Sequence, residues 1–174
     1  MFMKGLVIRN YYPQTFMRQM SDNDILYGVE KRDELFEVMK KNGFYLSAFH
    51  SASDDFFKAP YVLMEMHKTL FDDNCEVKLD LDLWKRAIKC EDNNSRYNMS
   101  PDDNYIYSLA HMCKHYSGGG CGIRFVCDMY LLHYSNDNLD FEYINSQFKK
   151  FGLYEFYQKV MRLVEAIFND AEYN

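Results

Sequence analysis

Arg18-Gln19-Met20-Ser21-Asp22-Asn23-Asp24-Ile25-Leu26 is the stretch whose reading decides the fold. Polar residues lead into an apolar end, the pattern of a strand entered through a turn, and Ser21 to Tyr27 reads as that strand. Side chains of a strand alternate between its faces, so Asp22 and Asp24 share one face, close enough to ligate one or two divalent ions. A second reading stays open on these residues alone. Ser, Asp and Asn are also the residues of polar turns.

A third carboxylate lies downstream in Tyr61-Val62-Leu63-Met64-Glu65-Met66-His67-Lys68. Alternation sends Tyr61, Leu63, Glu65 and His67 to one side of this strand. Glu65 is an acid inside an apolar run, where desolvation is costly unless a cation or donor meets it. Upstream, Lys4-Gly5 forms a turn before a short helix from Leu6 to Tyr12 that Pro13 closes. Backbone N–H groups at such a turn make a phosphate cradle, with Lys4 and Arg18 as charge partners. Three acids on neighbouring strands beside a phosphate cradle is what metal-assisted nucleotidyl transfer requires, since cations held there clamp both the attacking oxygen and the departing pyrophosphate.

Around these motifs the first part of the chain is mixed. Lys31 to Asn42 carries Leu35, Phe36, Val38 and Met39 at helical spacing with Gly43 as the residue past its end, and Phe44 to Phe49 and Ala59 to Leu70 read as strands. After Leu79 the period becomes helical. Ser100-Pro101-Asp102-Asp103 supplies a capping hydroxyl, a proline at the first helical position and an acid three places on. The helix that follows buries Ile106, Leu109, Ala110 and Cys113. Past a Gly118-Gly119-Gly120 loop, Ile123, Val126, Cys127, Tyr130 and Leu131 form a second stripe, and Ile144, Phe148, Phe156, Val160, Leu163 and Ile167 continue in later helices. The expected fold is α+β: a small mixed β-sheet with flanking helices over residues 1–78, then a helical bundle over 79–174. The Tyr and Met content reads as core packing.

Composition agrees with a packed, acidic chain. Of 174 residues, 48 % are hydrophobic and 17 % aromatic, with 20 basic against 26 acidic side chains for a net charge of −6. The acidic balance argues against a long nucleic-acid acceptor, whose binding draws on clustered Lys and Arg. Cys75, Cys90, Cys113, Cys121 and Cys127 are odd in number and include no CxxC pair, which points to reduced thiols and a cytoplasmic location. No apolar run approaches the ~18–20 residues of a membrane helix.

The order of these motifs resembles the uncharacterised nucleotidyltransferase family within the DNA polymerase beta-like nucleotidyltransferase superfamily. The likeness runs from the Lys4-Gly5 turn through Tyr12-Pro13, Arg18, Asp22-Asn23-Asp24-Ile25-Leu26, Gly43-Phe44 and the Glu65 to His67 strand. It continues to His111, His115 and Arg124-Phe125-Val126-Cys127-Asp128. The resemblance implies that Asp22, Asp24 and Glu65 are the catalytic acids and hold Mg²⁺ or Mn²⁺. It implies also that Gly5 belongs to the triphosphate turn and that a nucleoside triphosphate is the substrate; the acceptor, a small molecule or a protein, is left unidentified. It implies further that the helical part packs over the cleft, placing His67, His111, His115, Arg124 and Asp128 on the acceptor side. Superfamily members carry Gly-Ser at the turn, whereas this chain, like the family, has Lys4-Gly5. Of the helix and strand that precede that turn in other members, Met1-Phe2-Met3 remains.

Those departures motivate an alternative, a non-catalytic binding or regulatory protein on a degenerate version of the fold. The second half supplies another. His111 and His115 stand at i and i+4, a spacing that suits two metal ligands, and Asp128 on the next helix could add a third, the set of a metallohydrolase. The Glu of an HExxH motif is missing, and a structural or substrate-lining pair is the reading favoured over the metal set. Arg124 and Asp128 are themselves i, i+4 partners and suggest an intrahelical ion pair or a half-buried pair that orients Asp128.

Overall fold

A computed structural model describes residues 1–91 and 95–169, so the end of the expected helical part, residues 170–174, lies outside the described residues. In chain order its elements are α1 (Gly5–Ile8), β1 (Asn23–Leu26), α2 (Arg32–Lys41), β2 (Tyr45–Phe49), β3 (Ser53–Lys58), β4 (Val62–His67), α3 (Leu83–Arg86), β5 (Ile88–Lys89) and β6 (Tyr97–Asn98). The helices α4 (Pro101–Ser117), α5 (Ile123–Tyr134), α6 (Phe141–Lys150) and α7 (Tyr154–Phe168) follow. The main sheet has the order β1-β4-β3-β2, with β1 parallel to β4 and the other neighbours antiparallel. Met1 to Met3 run antiparallel along the outer edge of β1: Met1 N donates to Leu26 O at 2.7 Å and Met3 N to Asp24 O at 3.0 Å. The α+β architecture is as expected, a small mixed sheet with flanking helices followed by a helical bundle.

Alternation along the strands divides the sheet into two differently used faces. Ile25, Phe56, Met64 and Met66 point to α2 and pack with Leu35, Phe36 and Met39, the Phe36 and Phe56 rings meeting edge-on at 4.9 Å. Leu26 faces the other way, into the large core it shares with Met3, Ile8, Phe71 and the bundle. On that second face β1 and β4 place Asp24 opposite Glu65 and Leu26 opposite His67. The parallel register of these two strands therefore brings acids 41 residues apart in sequence to the boundary between sheet and bundle.

In the bundle, Ser100 caps α4 by accepting the Asp103 N–H at 3.2 Å, with Pro101 as the first helical residue. The helix is central: Asp103 to Ala110 are buried without interruption, Tyr105 and Tyr107 among them. The Gly118 to Gly120 run lies in the connection between α4 and α5.

Four expectations are corrected. The strand expected over Ala59 to Leu70 spans Val62 to His67, and Tyr61 is exposed in the turn that follows the cis Ala59–Pro60 bond. β3 was not expected, because Asp54 and Asp55 interrupt its apolar pattern. Asp54 is nevertheless fully buried, its carboxylate met by Arg32 at 3.0 Å, Lys68 at 3.2 Å and the Tyr27 hydroxyl at 3.2 Å. The helix expected from Leu6 to Tyr12 is one α-turn continued by the 3-10 turn Arg9–Tyr11. On α5 the buried face is Val126, Asp128, Met129 and Leu132, while Ile123 is exposed, so the helix is rotated relative to its apolar stripe and carries Asp128 inward.

Candidate active site

The boundary between sheet and bundle gathers the ionisable groups that the fold buries. Asp24 on β1 is buried and Glu65 on β4 half-buried beside it, with His67 two residues on and buried as well. Nε2 of His67 lies 2.9 Å from Asp24 Oδ1 and 3.4 Å from Glu65 Oε2. Among the described residues, Asp24, Glu65 and His67 form the group able to hold a metal ion, with one donor atom from each and all within 4.8 Å of one another. Asp22, at the entry to β1, lies against them. Burial first, then the charges of Asp24 and Glu65, push its carboxyl up.

Two cationic groups answer these acids. Lys4 ion-pairs with Asp24, and its Nζ lies 3.8 Å from Glu65 Oε2. Burial would raise the Asp24 carboxyl, but the His67 hydrogen bond and the Lys4 ammonium outweigh it and bring Asp24 down to about 2. The His67 bond also lowers Glu65. For His67 itself, burial opposes the charged ring, and the hydrogen bonds to Asp24 and Glu65 prevail and raise it. Carboxylate oxygens with one imidazole nitrogen are a donor set for a divalent metal ion.

The turn in front of the acids is built around Arg18. Its Nε and Nη2 grip the Asp128 carboxylate at 2.8 to 3.2 Å, both side chains buried, and the Tyr12 hydroxyl donates to the same carboxylate at 2.7 Å. Nη1 faces Gly5, where a Cβ would fall 2.4 Å from it and within 3 Å of the Met20 side chain. Only glycine leaves room for the guanidinium against the backbone of α1. A concavity of about 300 Å³ opens here, lined by Gly5, Arg18, Ser21, Asp22, Asp24 and Glu65 on the sheet side and by His111, His115, Arg124 and Phe125 from the bundle. A second, of about 220 Å³, adjoins it, sharing Lys4, Glu65, His111 and Lys114 and lined also by His50, Asp55, His67 and Asp72.

Comparison with known proteins bears on this arrangement. A family model described as "Uncharacterised nucleotidyltransferase" matches residues 1–169. The chain belongs to that family. The solved structures include a similar one, the antibiotic-resistance factor ANT(2'')-Ia in solution. It is 11 % identical with a TM-score of 0.59, covering 90 % of this chain and 85 % of that one, which is a likeness of fold. Comparison with curated proteins finds no match. The fold is thus nucleotidyltransferase-like.

Within this family fold the expected site residues are distributed as follows. Asp24 and Glu65 converge with His67, which was expected on the acceptor side, while Asp22 lies against this group and is not part of it. Lys4 is seated on Asp24, where a phosphate partner was expected. His111 and His115 line the larger concavity with Nε2 atoms 3.1 Å apart, and His115 stacks near Phe125 at 5.2 Å between ring centroids. Burial, then the nearby cations, hold both rings below their ordinary value and neutral.

The pairing expected between Arg124 and Asp128 does not form: Arg124 reaches the Gln19 carbonyl at 3.3 Å, and Asp128 is taken by Arg18 and Tyr12. That engagement also removes Asp128 from a metal set with His111 and His115, which is not among the metal-capable groups of the described residues. The sequence reading missed Tyr107. Its hydroxyl is buried with no hydrogen-bond partner among the described residues, and burial, then Asp24 and Glu65, push it well up. Its place one helical turn before His111 was the available signal.

Proposed function

We propose that this chain transfers a nucleoside monophosphate from a nucleoside triphosphate to an acceptor hydroxyl, releasing pyrophosphate. The observation that carries the reading is the convergence of Asp24, Glu65 and His67, with Asp22 beside them, in front of a glycine turn that Arg18 faces. Asp22, Asp24 and Glu65 would hold Mg²⁺ or Mn²⁺, with His67 at its edge. Such an ion, when bound, neutralises charge on the phosphate oxygens and the leaving pyrophosphate. The Gly5 N–H and Arg18 Nη1 bind the phosphates, and Asp128 with Tyr12 fixes the direction in which Arg18 points.

Glu65 borders both concavities, so the nucleotide occupies the one at the turn and the acceptor the one lined by His50, Asp55 and Asp72. As the acceptor oxygen bonds to the α-phosphorus and the bond to the bridging oxygen breaks, the hydroxyl proton passes to Glu65. His111, His115, Arg124 and Phe125 enclose the nucleotide from the bundle side. The acceptor is a small molecule or a protein side chain, in keeping with a net charge of −6 that disfavours a long nucleic acid.

Melting temperature tests this reading. At a hundredfold excess over Kd, a nucleoside triphosphate with Mg²⁺ adds about 2.7 kcal/mol, which is a rise of roughly 5–10 °C for a domain of this size. Asp24→Asn should abolish the rise. No rise in the wild-type chain would overturn the proposal. The seat of the Lys4 ammonium among the acids favours one competing reading, nucleotide binding without transfer. An unchanged rise in both Asp24→Asn and metal-free protein would select it.

A further inference from the structure

Lys4 has a backbone that glycine would adopt more readily. At φ 47° and ψ −124° it is the non-glycine residue with positive φ among the described residues. An L side chain is held there only when its surroundings over-determine it. The surroundings are the acids. Nζ pairs with Asp24 Oδ1, the oxygen that His67 Nε2 also approaches, and lies 3.8 Å from Glu65 Oε2, which His67 approaches at 3.4 Å. The side chain is 17 % exposed, its ammonium set among the acids where Lys4 lines both concavities.

Oxygen bookkeeping shows what room is left. Lys4 and His67 together engage Asp24 Oδ1 and Glu65 Oε2, so an ion would draw on Asp24 Oδ2, Glu65 Oε1 and the Asp22 carboxylate, which itself stands within hydrogen-bond reach of Glu65. That is enough for one octahedral divalent ion completed by water and phosphate oxygens. A second ion would need the oxygens Lys4 holds, and would sit within a few ångströms of a fixed positive charge in a poorly screened position.

We infer that Lys4 is a resident cation of the site, its ammonium standing where a second divalent ion would bind, so that the chain takes up one divalent ion per nucleotide. The inference rests on the nucleotidyl-transfer reading above. It explains why a lysine is tolerated in a glycine-like conformation at the head of the turn. It also gives Lys4 a different task from the phosphate contact that its sequence position suggests. The tether through the backbone of α1 fixes the ammonium relative to Gly5 and Arg18, so one positive charge remains in place whatever the surrounding metal concentration.

The experiment is equilibrium dialysis of the full chain with Mn²⁺ and a non-hydrolysable nucleoside triphosphate, with Mn²⁺ counted by EPR per protein-bound nucleotide. It compares wild type, Lys4→Met, Lys4→Gly and Lys4→Arg. Lys4→Gly suits the observed backbone, so it guards against loss of fold in Lys4→Met, and circular dichroism checks both. The expected result is one Mn²⁺ in wild type and Lys4→Arg, and two in Lys4→Met and Lys4→Gly, the second bound at least tenfold more tightly than any further ion in wild type. Two ions in wild type, or one in every variant at equal affinity, would overturn the inference and leave the transfer reading standing. No Mn²⁺ in wild type would remove both.

Discussion

Replacing Asp128 with alanine should cost about 3–5 kcal/mol of folding stability, the usual penalty for stranding one partner of a buried ion pair. The geometry sets the scale. Arg18 and Asp128 are 8 % and 3 % exposed, and three contacts of 2.8 to 3.2 Å join them across a sequence separation of 110 residues, from the segment before β1 to α5. The variant leaves a guanidinium in a low-dielectric site without its counter-charge, and the Tyr12 hydroxyl loses its acceptor at a further cost of about 1 kcal/mol.

For a chain of 174 residues, about 2–4 °C is lost per kcal/mol, so the melting temperature should fall by roughly 6–20 °C. Urea unfolding followed by circular dichroism measures the free energy directly. The double variant Arg18→Met/Asp128→Leu should recover most of the loss, since an apolar replacement of both partners is often neutral. Arg124→Ala should change stability by no more than about 0.5 kcal/mol, because its guanidinium is exposed and reaches a single carbonyl. A cost below about 1 kcal/mol for Asp128→Ala, or an equal cost for Arg124→Ala, would refute the pairing described here.

Three further outcomes follow from the same geometry. Gly5→Ala places a methyl 2.4 Å from Arg18 Nη1 and 2.8 Å from Met20 Cγ. Because Asp128 pins Arg18, the variant should lose about 1–3 kcal/mol in urea unfolding and weaken nucleotide binding in calorimetry. Asp24 titrates at about 2 when folded, below its ordinary 3.8, so its contribution of about 2 kcal/mol is full above pH 3.8 and is lost as the pH falls toward 2. His67 is raised, so its contribution is full below its ordinary 6.5 and is lost as the pH rises through the folded value. Urea midpoints of metal-free protein across this range should show both limbs, the acid limb flattening in Asp24→Asn. Ser100→Ala removes the cap of α4 and should cost about 1 kcal/mol by the same assay, with Ser100→Asp restoring it.

What the sequence disclosed, and what it hid, divides by the range of the interaction responsible. Ser100 with Pro101 announced α4 because caps are local, and alternation in β1 and β4 put Asp24, Glu65 and His67 on shared faces before any pairing was known. β3 was hidden because two acids break its pattern, and the cations that donate to Asp54, Arg32 and Lys68, lie 22 and 14 residues away in sequence. The two-residue strands β5 and β6 are too short to leave a pattern. The partner of Asp128 was misread for the same reason: Arg124 is adjacent on the helix, whereas Arg18 becomes adjacent only when the bundle closes on the sheet. Lys4 was legible as a basic residue at a turn, but its seat on Asp24 depends on the bridge that lays Met1 to Met3 along β1.

In the proposed reaction the acids of β1 and β4 hold a divalent ion against a nucleotide. Anomalous diffraction from crystals grown with Mn²⁺ and a non-hydrolysable nucleoside triphosphate tests it most directly. A manganese peak bonded to Asp24 and Glu65, with the triphosphate at the Gly5 turn, is the expected result. A nucleotide bound elsewhere, or manganese at His111 and His115 with none at Asp24, would contradict it.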